Sequence, residues 1–345
     1  MKAALLHSPG RLSVEEYPEP MCPDGGAVIE VEACSLCASD IKMWKVGHRD
    51  LSYPRILGHE VVGKVVETRT ERIYVGARVQ VWPGVACGHC PSCHQDSDNQ
   101  CDSIGVIGFN LNGGLADFMS IPGGCVERGG LNILPKDMES GLASLTEPLA
   151  CCFNAQESLK VVQGDSVVVI GGGPLGALHL MLAKHKRAKR IMLIEKDAGR
   201  MSLIEKHVKP DEVIGPSEDM KKAIMTATRG RGADAIFLAT SEPLPIQELV
   251  HALAKKGRMS LFSGLEKGSS TTSIDLNQLH YNERSITGSY GCRSRDCREA
   301  LRLLSTGEVA ADWLITKRVP LSGIFEGLRH IADREGMKAT IIKQG

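Results

Sequence analysis

The chain carries no net charge. Its 41 lysines and arginines offset 41 aspartates and glutamates over 345 residues. That balance withholds the basic field on which nucleic-acid binding depends. Long apolar runs are missing too. The longest, Val167 to Ala183, is broken by glycines and Pro174 and carries His179, so it is too short and too interrupted for a membrane span. The first residues, Met1 to His7, meet Pro9 before any apolar core has formed, which does not read as a secretory signal. No internal repeat and no low-complexity linker stands out. These absences predict a cytoplasmic protein with neither a membrane nor a nucleic acid as partner.

What is present is ordinary in bulk and particular in detail. Hydrophobic residues make up 42% and charged residues 24%, as in a globular enzyme-sized chain. At 345 residues, two domains are expected. Twelve cysteines are present, four of them in the run Cys87, Cys90, Cys93 and Cys101. Thiolates at this spacing can close a tetrahedral shell around one Zn²⁺ at about 2.3 Å each. Gly88 and Pro91 suit the tight turns that such a shell requires. The quartet predicts a structural zinc in a lobe over about residues 84–104. A closed shell leaves no open coordination position, so chemistry must lie elsewhere.

Two compositions share the chain. Residues 1 to about 150 hold glycine, proline and short β-prone runs such as Ala27 to Val31 and Val61 to Val66. They predict an irregular β-rich domain. From Val167 onward, apolar strand-sized runs alternate with helical stretches. Leu175 to Lys186 and Leu244 to Ala254 read as helices; Ile191 to Ile194 and Met259 to Phe262 read as strands. That alternation predicts a doubly wound parallel sheet, a Rossmann domain. Ala339 to Ile342 reads as a last strand.

The first strand of that pattern ends in Gly171-Gly172-Gly173-Pro174-Leu175-Gly176. G-x-G-x-x-G between a strand and a helix is the setting in which backbone N–H groups cradle a pyrophosphate. An acid should close the second strand about 20 residues on, and Glu195 stands there. Its carboxylate can accept hydrogen bonds from ribose hydroxyls and repels a 2′-phosphate, which favours NAD. Arg200 lies close by in sequence. Gly171, Gly173, Pro174, Leu175, Gly176, Glu195 and Arg200 are therefore the predicted cofactor residues.

Three separated fragments can build a second, open metal site. They are Cys37-Ala38-Ser39-Asp40, Gly58-His59-Glu60, and Thr146-Glu147-Pro148. Thiolate, imidazole and carboxylate are all zinc ligands. Singly, each has a plainer reading: a core cysteine, a hydrogen-bonded histidine, a helix-capping acid.

Taken in order, these motifs resemble the zinc-containing medium-chain alcohol dehydrogenases. The order is Cys-x-Ser-Asp, Gly-His-Glu-x-x-Gly, the cysteine quartet, Glu-Pro-Leu, then the glycine-rich turn. The resemblance covers essentially the whole chain. Glutamate at position 147 looks like the sorbitol and threonine dehydrogenase branch. The resemblance implies a catalytic domain from residues 1–148 and 289–345, and an NAD-binding domain from 149–288. It implies two zinc ions per chain. Cys37 and His59 are then direct ligands of the catalytic one, with either Glu60 or Glu147 as the third. Ser39 matches the hydroxyl that passes on the substrate proton. Lys42 falls where related enzymes place a relay histidine, and Lys338 where a basic residue pairs with Glu60. A homodimer or homotetramer is implied as well.

The expected activity is NAD-dependent oxidation of a secondary alcohol, in a polyol or sugar derivative, to a ketone. An amino alcohol of the threonine type, or a sugar phosphate, is the alternative substrate. A non-catalytic NAD- or zinc-binding homologue is the remaining alternative. The chain departs from the sorbitol enzymes at Ser289-Tyr290-Gly291-Cys292, where they carry an arginine and an aromatic. The basic cluster Lys42, Lys45, His48, Arg49 and Arg55 offers itself to a substrate phosphate.

Overall fold

A computed structural model describes residues 1–215, 219–265 and 268–343. The chain divides into two compact units, Met1–Ala150 with Cys292–Gly345, and Cys151–Gly291. No helix among the described residues is long and apolar enough to cross a membrane.

The first unit is built on a seven-stranded sheet. Its central strand, Ala27–Ser35, pairs antiparallel with Glu60–Thr68 on one side and with Lys338–Ile342 on the other. The last strand of the chain therefore lies beside one of the first, so both chain ends belong to one unit. Burial along Ala27–Ser35 alternates only in the middle, at Glu30 to Glu32; Ala27 to Ile29 and Ala33 to Ser35 are buried without a break. A strand enclosed on both faces does this. Side chains at cross-strand partners share a face. Ser35 is opposite Glu60 in one neighbour and Thr340 in the other. Two short strands, Gly84–Val85 and Gly105–Val106, close a separate small hairpin around the cysteine quartet.

The second unit is a six-stranded, all-parallel sheet. Its strands run, in spatial order, Glu212–Ile214, Arg190–Ile194, Ser166–Ile170, Ala233–Leu238, Leu253–Leu261 and Ser285–Gly288. In sequence order this is 3-2-1-4-5-6, the doubly wound topology whose order reverses beside the first strand. Ser166–Ile170 is buried throughout, as the middle of a sheet covered on both faces must be. The helix Pro174–His185 follows it, with Gly173 as N-cap and Pro174 in the first turn. Proline is favoured there because its missing N–H would have had no helical partner.

Two sequence expectations need correction here. The helix expected over Leu244 to Ala254 is shorter, Ile246–His251. The strand expected from Met259 already begins at Leu253. Lys255, Lys256 and Gly257 break the apolar run. Lys256 has φ 63°, and the pairing slips between Ala233↔Leu253 and Ala235↔Arg258. A bulge thus hides the strand from its hydrophobic pattern.

Candidate metal centre and nucleotide loop

Cys37 caps the helix Ala38–Val46. Its backbone N–H donates to Asp40 Oδ2 at 2.8 Å, which fixes the turn that presents the thiol. His59 and Glu60 sit where the strand Glu60–Thr68 begins. One donor atom from each of Cys37, His59 and Glu60 lies within 4.8 Å of the others. A tetrahedral zinc shell spaces its ligand atoms by about 3.5 Å, so this cluster needs little closing. Ser39 Oγ stands 3.5 Å from His59 Nε2, beside the same cluster. Lys42 is exposed, three residues further along the helix from Ser39.

Electrostatics favour a cation here. Burial lowers the pKa of His59, but Asp40, Cys37 and Glu147 together carry it well above the usual histidine range. The surroundings hold more negative charge than the imidazole can leave unanswered. His59 Nδ1 and Asp40 Oδ1 face each other at 3.7 Å, both buried and neither hydrogen-bonded. Burial pushes the Glu60 carboxyl up to about 7, against the pull of Lys338. Lys338 is buried too, yet Glu60, Cys37 and Glu147 raise its pKa. Its Nζ donates to Glu60 Oε1 at 2.6 Å and also bonds Oε2. Contacts to both oxygens favour the ionised form of the pair, opposing the neutral form that burial alone favours. Soft and hard donors in one cluster, with surplus negative charge, fit Zn²⁺.

Glu147 is buried in the first turn of the helix Thr146–Ser158. It does not join the Cys37–His59–Glu60 cluster, although its charge acts on His59, Glu60 and Lys338. Asp40 is the residue that sequence reasoning left without a role. The signal was present: an acid three residues after the N-cap can reach back to the cap N–H.

The quartet gathers as expected. Donor atoms of Cys87, Cys90, Cys93 and Cys101 all lie within 4.8 Å of one another. Gly88 has φ 81°, a turn open mainly to glycine, and Pro91 begins the one-turn helix Pro91–His94. The backbone of His89 is the main cause that pulls the Cys87 thiol down to about 6, whereas burial pushes Cys93 up to about 12. Four thiols converging in one cluster fit a closed zinc shell. Asp98, between Cys93 and Cys101, accepts from Ser294 N at 3.2 Å and Ser294 Oγ at 2.6 Å. The lobe is thereby fastened to the C-terminal segment of its unit.

In the second unit, Gly171 has φ 105° and Gly176 packs directly on it. A Cβ at Gly176 would fall 1.8 Å from Gly171 O. Glu195 Oε2 accepts from Gly172 N at 2.5 Å; its Oε1 accepts from Lys196 N at 2.6 Å and Asp197 N at 2.8 Å. The acid thus holds the glycine loop as well as facing it. Arg200 follows in the first turn of Ala198–His207, and a Cβ on Gly173 would lie 3.7 Å from its Nη1. Pro174 and Leu175 open the helix behind the loop.

The basic cluster is mostly answered locally. Arg55 Nη1 donates to Asn112 Oδ1 at 3.1 Å and Nη2 to Ser52 Oγ at 2.6 Å. Asp50 lies 3.5 Å from both His48 Nδ1 and Arg49 Nε. Asp50 is the one anion among these partners, so the bonds order the cluster without removing most of its positive charge.

Known proteins agree with this anatomy. The alcohol dehydrogenase GroES-like domain matches residues 23–128, and the zinc-binding dehydrogenase domain matches residues 174–306. An uncharacterized zinc-type alcohol dehydrogenase-like protein of Haemophilus influenzae is 30% identical over 337 residues, covering 96% of this chain and 95% of its own. L-galactonate-5-dehydrogenase of Escherichia coli is 29% identical over 347 residues, covering 99% and 98%. Among solved structures, one from Sinorhizobium meliloti described as a zinc-binding dehydrogenase and bound to NADP superimposes with a TM-score of 0.90 at 26% identity, covering 99% of each chain. The chain belongs to the zinc-type alcohol dehydrogenases, oxidoreductases acting on CH–OH groups.

Proposed function

We propose that this protein oxidises a secondary alcohol of a polyol or sugar derivative to a ketone, with NAD as acceptor. The observation that carries the reading is the cluster of half-buried Cys37 with buried His59 and Glu60, and Ser39 beside it. When bound there, zinc supplies a Lewis acid for the substrate hydroxyl, and NAD at the glycine loop takes up the hydride. The chain's residues do the rest. Cys37 and His59 hold the metal. Asp40 orients Cys37 through its N–H and faces His59 Nδ1. Ser39 accepts the substrate proton and passes it outward. Lys42, exposed on the same helix, already carries its proton, so water rather than Lys42 receives the one that Ser39 passes on.

Glu147 is the resting third ligand in this reading, because Lys338 holds both oxygens of Glu60. Glu60 is the group able to step in when ligands exchange. The quartet holds a second, structural zinc. Met1–Ala150 with Cys292–Gly345 is the catalytic unit and Cys151–Gly291 the NAD-binding unit. Glu195 selects NAD by accepting from the ribose hydroxyls; Glu195→Ala weakens NAD more than NADP. We place the protein in the cytoplasm as a homodimer or homotetramer, which sizing in solution tests.

The sugar-acid specificity of the Escherichia coli relative supports a polyhydroxylated substrate. The test is a screen of polyols, aldonates, amino alcohols and sugar phosphates, read as NADH formed. Turnover of a polyol or sugar derivative is expected. Turnover confined to amino alcohols, or none after zinc is restored, overturns the reading.

A further inference from the structure

Three buried hydroxyls lie under the metal cluster and belong to no part of the mechanism above. Ser35 Oγ is 2.7 Å from Thr340 Oγ1 and 2.6 Å from Ser144 Oγ. Ser144 Oγ donates to Gly141 O at 2.7 Å. None of the three is more than 1% exposed. Each hydroxyl has one proton, so the direction of the chain is fixed. Ser144 spends its proton on Gly141 and must accept from Ser35. Ser35 then spends its own on Ser144 and must accept from Thr340. The chain runs from Thr340 through Ser35 and Ser144 to a carbonyl.

Its ends rule out proton transport. A backbone carbonyl neither keeps a proton nor releases one, so nothing can move along the chain. What it does is join three segments. Ser35 precedes Cys37 by two residues. Thr340 follows Lys338 by two on the strand Lys338–Ile342, so the two share a face. Ser144 precedes Glu147 by three. Ser35 is also the cross-strand partner of Glu60. The hydroxyls thus lie where the segments bearing Cys37, His59–Glu60, Lys338 and Glu147 meet the sheet. A backbone bond from Leu36 N to Ala339 O at 2.9 Å closes the same junction.

We propose that Thr340, Ser35 and Ser144 form a one-way hydroxyl clamp that positions the metal ligands. It sets the distance between the Cys37 turn, the Lys338–Glu60 pair and the Glu147 turn. An apolar side chain at Ser35 strands the Thr340 proton, one at Ser144 strands that of Ser35, and one at Thr340 removes the bond that ties its strand to Ser35; each change lets the segments relax apart. These are positioning residues; none of them touches the metal. The inference rests on the metal reading of the Cys37 cluster.

The test uses the whole zinc-loaded protein and the variants Thr340→Val, Ser35→Ala and Thr340→Ser. Zinc released to a chelator is followed against time, with the quartet zinc as internal reference. A cobalt-substituted sample gives the ligand-field spectrum of the open site. Thr340→Val and Ser35→Ala are expected to lose the open-site metal faster, by up to about the 10-fold that removing a ligand's own hydrogen-bond partner costs, because they act on the ligand-bearing segments and not on a ligand directly. Their cobalt bands shift, while release from the quartet is unchanged. Thr340→Ser restores the hydroxyl and behaves as wild type. If Thr340→Val and Ser35→Ala keep wild-type release and spectrum, even with lower thermal stability, the hydroxyls are mere packing and the proposal falls. A wild-type protein that binds only the quartet zinc overturns the metal reading, and this inference with it.

Discussion

At the scale of single residues, the question with most chemistry in it is which carboxylate completes the open site. Glu60 is closer to the cluster, but a buried lysine grips both its oxygens. Freeing it for a metal would leave Lys338 as an unpaired buried charge, which is costly. Glu147 is buried as well, and its charge acts on both His59 and Lys338. Glu147→Ala should therefore lose most open-site zinc, and Glu147→Cys should keep it. Glu60→Ala should keep the metal and slow turnover. Metal analysis of the three proteins decides the matter; zinc lost with Glu60→Ala and kept with Glu147→Ala reverses the assignment. His179 supports a second residue-scale prediction. It is fully buried, stacked on Phe237 with ring centroids 4.5 Å apart, and burial lowers its pKa to about 3. The folded unit refuses a proton that the unfolded chain accepts below about 6.5. Its contribution is thus complete above that pH and is lost as pH falls toward 3. At pH 5 the loss is about 2 kcal/mol. Urea unfolding at about pH 7.5 and pH 5 should show a smaller acid loss for His179→Leu than for wild type. Equal losses in the two proteins would remove His179 from the account.

Among elements, the glycine turn has the least room for change. Gly176→Ala would drive a methyl group into Gly171 O, a backbone atom that cannot rotate away. The turn must open, and the N–H groups that would face a pyrophosphate disperse. We expect NAD affinity to fall by about tenfold or more while both metal sites remain filled. Calorimetric titration with NAD checks this, and wild-type affinity would disprove it. Elements also show what the sequence made legible. The turn, the Cys-x-Ser-Asp and Gly-His-Glu fragments and the quartet were readable because their chemistry is local: a few residues at fixed spacing. The strand Leu253–Leu261 was half hidden because a bulge at Lys256 interrupts its apolar pattern. The hydroxyl clamp was invisible. Ser35 and Thr340 are 305 residues apart in the chain, and no local pattern announces that they meet. The basic cluster was legible as adjacent cations, but not the local partners Asp50, Ser52 and Asn112 that hold His48, Arg49 and Arg55 in place.

For the whole molecule, the two metal sites carry different burdens, and their removal should separate in time. The quartet has four thiolates and no open position, so a chelator must break Zn–S bonds without first joining the shell. In the proposed reading the open site would offer three protein ligands and leave one position through which a chelator could attach. Mild chelation should thus abolish activity while thermal stability hardly changes, and one of two zinc ions should leave. Harsher chelation, or Cys93→Ser, should remove the second ion. Stability should then fall beyond the lobe itself, because Asp98 holds Ser294 at the start of the helix Ser294–Ser305. That helix buries Cys297, Ala300, Leu301, Leu303 and Leu304, so loosening its start exposes core. Removing a structural zinc removes folding free energy directly. Zinc content, activity and melting temperature followed in one titration would show two stages, activity first and melting second. A single stage, with activity and fold lost together, would mean that the sites are not independent. Full activity with one zinc or none would mean that the open site needs no metal.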